Sequence, residues 1–241
     1  MKNLYILTGC SKGLGKTLLE VLLADKENMV VGISRSPMEE TGNFKHHSLD
    51  LAHSEELSGK LAAVFPEGDF EKAVLINNAG WIGEIAPIGR LDPTGIATIH
   101  AVNVVAPAIL MNAFVHTFGG RSLKKTVVNI SSGAAEKNMD GWSGYSSSKA
   151  ALNRLTFVAQ EESDLKGYGI RYFALSPGIV DTPMQADIRA AKEEDFSNLS
   201  KFKSFKENQE LTSPDAVAQK VMYLLDHEGD FGDVLQDVRM F

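Results

Sequence analysis

Short apolar runs alternate with helically spaced segments along almost the whole chain, and this alternation limits the fold more than any other feature. "LYILTG", "MVVGIS", "HHSLDL", "AVLINNAG", "TVVNISS", "IRYFALSP" and "DVLQDV" each read as a strand bounded by turn residues. Between them, "GLGKTLLEVLLADK" carries Leu14, Leu18, Leu22 and Leu23 on one face, and "SEELSGKLAAVF" follows the third run. "IATIHAVNVVAPAILMNAFVHTF" gathers Ile99, Val102, Ala106, Ile109, Leu110 and Ala113 in the same way, and further helices begin near Tyr145 and Ser213. Apolar strands separated by helices need cover on both faces. The expectation is therefore one α/β domain over residues 1–241, with a doubly wound parallel sheet. No linker or repeat divides it. The stretch 184–210 differs, being polar and charged with Phe196, Phe202 and Phe205 scattered through it. Placed after a strand end, where open sheets bind ligands, it reads as a substrate lid or as a solvated excursion.

Charge and composition exclude several classes. The net charge is −7, and the nearest approach to a basic cluster, Lys201, Lys203 and Lys206, runs straight into Glu207 and Glu210. A nucleic-acid partner is not expected. No apolar run comes near the ~18 residues of a membrane span. "MKNLYILTGC" reaches glycine too soon for a signal peptide, and the single Cys10 suits a reducing cytoplasm. No metal is expected.

"TGCSKGLG" lies between the first strand and the first helix, with glycines at Gly9, Gly13 and Gly15. Glycine permits the tight turn and lets backbone approach a pyrophosphate, while the helix N-terminus offers free N–H groups. The spacing is G-x-x-x-G-x-G. At the end of the second strand, "GISRS" puts Ser34 and Arg35 where NAD sites usually hold an acid. With Lys12 in the loop they favour NADP(H); each cation alone would read sooner as a solvated surface charge.

"GWSGYSSSKAAL" sets Tyr145 and Lys149 four apart, hence on one face if helical. A phenol near pKa 10 yields its proton poorly at neutral pH. An ammonium about 4 Å away would lower that by roughly three units at an effective dielectric of 20. Such a pair alone is also an ordinary surface pair. The small Ser146, Ser147 and Ser148 are expected to leave room for a cofactor. Ser131 and Ser132 emerge from the strand "TVVNISS" just before this helix. Pro107, four residues after Asn103, has no N–H, so the helix should kink and free the Asn103 carbonyl to hold a water near Lys149.

Taken in order, Thr8-Gly9-x3-Gly13-x-Gly15, Asn77-Asn78-Ala79-Gly80, Ser132, Tyr145-x3-Lys149 and Pro177-Gly178 resemble the short-chain dehydrogenase/reductases from end to end. The resemblance implies a Rossmann-like fold and a carbonyl reduction in which Tyr145 donates the proton, Ser132 holds the carbonyl oxygen and Lys149 assists. Asn103 fills the fourth catalytic position. It also implies that Ser11, Lys12, Leu14, Asp50, Leu51, Asn78, Ala79, Gly80, Pro177, Gly178, Val180 and Thr182 line the cofactor, with a turn or capping residue as the lesser reading of Asp50. A homodimer through the helices bearing Asn103 and Tyr145 is implied too.

Within the family, "NNAGWIG", "TVVNISSGAA", "GWSGYSSSKAA" and "PGIVDTPMQ" are most similar to sepiapterin reductases and bacterial benzil reductases. The substrate class implied is a small α-dicarbonyl, with Trp81, Trp142 and Met184 in an apolar pocket. Asp237, by analogy with a carboxylate near the sepiapterin reductase C-terminus, would anchor a pterin ring; otherwise it is a solvated acid. A 3-oxoacyl thioester, a sugar, or a non-catalytic redox-sensing role are the alternatives.

Overall fold

The computed structural model describes residues 1–241, with every strand in one parallel sheet. In chain order the elements are β1 (Asn3–Thr8), α1 (Gly13–Ala24), β2 (Asn28–Ser34), β3 (Phe44–Ser48), α2 (Ser54–Val64), β4 (Lys72–Asn77), α3 (Pro93–His100) and α4 (Ala106–Phe118). Then follow β5 (Lys124–Ile130), α5 (Ser143–Lys166), β6 (Ile170–Ser176), α6 (Pro183–Arg189), α7 (Leu199–Glu207), α8 (Pro214–Asp226) and β7 (Leu235–Asp237). The spatial order is β3-β2-β1-β4-β5-β6-β7, so the winding reverses between β1 and β4 and opens a crevice at the strand C-termini.

Strand alternation feeds two cores. Tyr5 and Leu7 face α1 and α8, where Leu14, Leu18, Leu19, Leu22, Val217 and Val221 are buried. Leu4 and Ile6 face the other way, onto Leu57 of α2 and Leu110, Phe114 and Phe118 of α4. This is the fold expected from the alternation. Its details differ. Leu19, not Leu23, completes the buried face of α1, and Val102 and Ile109 are only partly buried. The third strand runs over Phe44–Ser48 instead of "HHSLDL", because its partner β2 ends at Ser34 opposite Ser48.

The helical run Pro93–Phe118 has 26 residues and a mean hydropathy of 1.6 in its most apolar stretch, long and apolar enough to cross a membrane. That corrects the expectation that no run approaches such a length. Its apolarity has a local cause, since Ala106, Leu110, Ala113, Phe114 and Phe118 pack on the sheet. The 184–210 stretch folds as α6 and α7. Phe196 and Phe202 are buried there with Trp142, forming a third, smaller apolar cluster.

Candidate active site

Thr8 at the end of β1 ties the glycine loop to the turn after β4. Its hydroxyl oxygen accepts the Asn78 and Ala79 N–H groups at 3.0 and 2.9 Å. The Asn78 amide in turn donates to the Thr8 carbonyl at 2.9 Å. Gly9 has φ +70, and a Cβ there would lie 2.9 Å from the Ala79 Cα; a Cβ on Gly15 would overlap the Gly9 carbonyl oxygen. These glycines let two loops and a helix meet at one point. No side chain caps the start of α1 and no acid lies in its first turn, so its N–H groups remain available to an anion.

The crevice above this point is a cavity of about 950 Å³. Every cofactor residue expected from the sequence lines it: the loop from Gly9 to Gly15, Ser34 and Arg35, Asp50 and Leu51, Asn78 to Gly80, Pro177, Gly178, Val180 and Thr182. Asp50 also makes a turn, accepting the Ala52 N–H at 3.0 Å, which leaves it on the cavity wall. The donor set fits a dinucleotide, with free helix N–H groups for phosphate and cations near the end of β2.

Ser132, Tyr145 and Lys149 meet in the same cavity. Lys149 is buried, with its Nζ 5.8 Å from the Tyr145 ring centre and donating to the Ile130 carbonyl at 2.8 Å. Burial pushes its pKa down to about 8. Burial also pushes the Tyr145 phenol up, while a hydrogen bond with Ser132 pulls it down. The expected lowering of Tyr145 by Lys149 is therefore not what this structure displays. Desolvation dominates, because Trp142 packs edge-on to Tyr145 with ring centres 5.6 Å apart, and Phe196 stacks on Trp142 at 5.2 Å.

Trp81, Ile82, Met139, Trp142, Met184 and Phe202 contribute apolar wall to the cavity. Phe205 joins them; Phe196 stays behind Trp142 in the apolar cluster.

Two expectations are corrected, for the serines and for Asp237, and Asn103 takes a position the sequence did not indicate. Ser146, Ser147 and Ser148 do not line the cavity. Ser148 is buried against Asn103, whose amide donates to its hydroxyl at 3.0 Å, and Ser147 faces His100. Their small size admits α3 and its continuation. Asn103 also stands behind the cavity wall, where its side chain accepts the Trp81 N–H and donates to the Trp81 carbonyl, both at 2.9 Å. Asp237 is not at the cavity either. Its carboxylate is held by the Arg239 guanidinium at 2.8 and 2.5 Å, and Arg239 is the residue that reaches the wall. Lys137 and Ile188, also on the wall, were not singled out from the sequence, where nothing in their neighbours marks them, and Lys201 stood out there only as part of a short basic cluster.

The kink expected at Pro107 takes a definite form. Residues Ala101–Val105 make a π turn, with the Ala106 N–H bonded to the Ala101 carbonyl. A widened turn absorbs the missing N–H of Pro107 and carries Asn103 at its centre.

A family profile described as short chain dehydrogenase matches residues 3–193. The chain belongs to the short-chain dehydrogenase/reductase family. Members of this family bind nicotinamide cofactors, and the chain is an oxidoreductase of the CH–OH/C=O pair. It is similar to the benzil reductase ((S)-benzoin forming) of Bacillus subtilis (strain 168), 34% identical with 99% of both chains covered. It is 31% identical to a sepiapterin reductase of Xenopus tropicalis over 77% of each chain. A solved short-chain dehydrogenase/reductase from Saccharomyces cerevisiae superposes with a TM-score of 0.83 at 27% identity, covering 99% of this chain and 96% of that one. These likenesses support a carbonyl reductase of the family.

Proposed function

We propose that the chain is an NADPH-dependent reductase of α-dicarbonyl compounds, converting a diketone such as benzil to the hydroxyketone. The observation that carries this reading is the meeting of Ser132, Tyr145 and Lys149 beneath an apolar, largely aromatic wall. Similarity to a benzil reductase supports the choice of acceptor.

NADPH, when bound, supplies the hydride. Ser132 donates a hydrogen bond to the carbonyl oxygen that gains charge, and Tyr145 delivers the proton to the same atom. The Lys149 ammonium stabilises the phenolate left behind. Asn103 acts through the backbone, holding the loop at Trp81 against Ser148 of α5. Trp81, Trp142, Met139 and Phe202 accept aryl groups and exclude water. A pterin acceptor has less support, since Arg239 occupies the carboxylate that would anchor its ring.

Arg35 and Lys12, with no acid at the end of β2, support preference for a 2′-phosphate. Helices α6 and α7 serve as the lid, the site is cytoplasmic, and two chains pair through α4 and α5. The decisive experiment is steady-state reduction of benzil, sepiapterin and a 3-oxoacyl thioester with NADPH and NADH. Benzil with NADPH should give the highest kcat/KM; a thioester preference, or no consumption with any acceptor, would overturn the reading. Arg35→Asp should lower NADPH efficiency about tenfold or more and leave NADH unchanged or improved.

A further inference from the structure

His46 takes no part in the chemistry above. It lies on β3, paired in register with Gly32 of β2, and its Nε2 is 2.8 Å from the Ser34 Oγ. The ring is half-buried, 6.1 Å from the Phe44 ring. Burial holds the imidazole below its ordinary range; neighbouring His47 acts in the same direction, and Glu40, itself paired with Lys45, opposes them. His46 is thus a neutral ring with a single N–H to place.

Ser34 has one hydroxyl hydrogen and three neighbours, His46, the Ser36 carbonyl and the Cys10 thiol, of which the thiol is the weakest hydrogen-bonding group. The Ser36 carbonyl, 3.0 Å away, can only accept. When the hydroxyl hydrogen is given to Ser36, the Nε2 of His46 must be the protonated nitrogen. With the Oγ accepting from Nε2–H, the Ser34 hydrogen can leave the Ser36 carbonyl for a stronger, anionic acceptor while its oxygen stays occupied. The reverse tautomer would draw the hydrogen toward His46 and turn lone pairs outward, repelling an anion. Ser34 and Arg35 both line the adenosine end of the cavity, and His46 does not.

We infer that His46 is a positioning residue for a phosphate monoester at the end of β2. Its Nε2–H donates to the Ser34 Oγ, and Ser34 donates its hydroxyl hydrogen to the phosphate beside Arg35. Arg35 provides charge; His46 provides direction. The relay from N–H through O–H to an anionic oxygen polarises along its length. A cofactor lacking the 2′-phosphate gains nothing from it, so His46 separates NADPH from NADH without touching either. This inference rests on the NADPH reading, yet it is separable from it.

The test is a binding titration of NADPH and of NADH with the full chain, wild type against His46→Phe and His46→Gln. His46→Phe should weaken NADPH about tenfold, the usual scale for a hydrogen bond serving a charged group, and leave NADH within about twofold. His46→Gln, which keeps an amide N–H at similar reach, should recover most of the loss. In a Ser34→Ala background, His46→Phe should have no further effect on NADPH. Equal losses for both cofactors, a Gln variant no better than Phe, or additive losses with Ser34→Ala would each overturn the role of His46. A wild-type chain that binds NADH as tightly as NADPH would instead strike the cofactor reading itself.

Discussion

In the proposed mechanism two groups set the working range, the Tyr145 hydroxyl and the Lys149 ammonium. Burial moves them in opposite directions, the phenol up and the amine down to about 8. Below that value Lys149 is cationic and can stabilise a phenolate; above it the charge is lost. Reduction should therefore hold a plateau at lower pH and decline as pH rises through about 8. A pH profile of kcat/KM rising across that value would contradict this assignment. Tyr145→Phe should cost about 10²-fold or more in kcat while NADPH affinity is retained, as checked by turnover and titration. The Tyr145–Lys149 spacing was readable in the chain because both lie on one helix turn. The direction of the Tyr145 shift was not, because Phe196 and Phe202, which close over Trp142 behind the phenol, come from a distant stretch of the chain. Asp237 failed for a related reason: its partner Arg239 lies two residues on, and only the chain's final turn brings them together.

Among the elements, the π turn at Ala101–Val105 connects a local sequence rule to the site. Pro107 made a break predictable; that the break would be a widened turn facing Asn103 toward Trp81 depends on what packs against it. Pro107→Ala restores the N–H and lets the turn relax to α-helix, rotating Asn103 away. The expected result is several-fold lower kcat/KM with unchanged or higher thermal stability. Asn103→Ala should act differently. It removes two hydrogen bonds to the Trp81 main chain and one to the Ser148 hydroxyl from around a fully buried side chain, costing roughly 1–3 kcal/mol in denaturant unfolding. The lid shows where composition misleads. Its polar residues coat α6 and α7, whereas Phe196 and Phe202, widely spaced in sequence, are what fasten it to Trp142.

The whole molecule presents Val105 beside α4 and Phe157 and Val158 on α5, 42%, 37% and 46% exposed. If pairing uses these helices, Val158→Asp should convert a sedimenting dimer to a monomer. The cavity has a broader consequence, one of mass action. Its wall collects residues from Gly9 to Arg239, so almost every strand end contributes to it. A partly unfolded chain offers no such wall, and ligand occupancy counts wholly toward the native state. At about a hundred times its dissociation constant, a cofactor adds roughly 2.7 kcal/mol against unfolding. The chain's resistance to proteolysis would then track the reduced-nicotinamide pool around it, and its abundance would record the redox supply that its catalysis consumes.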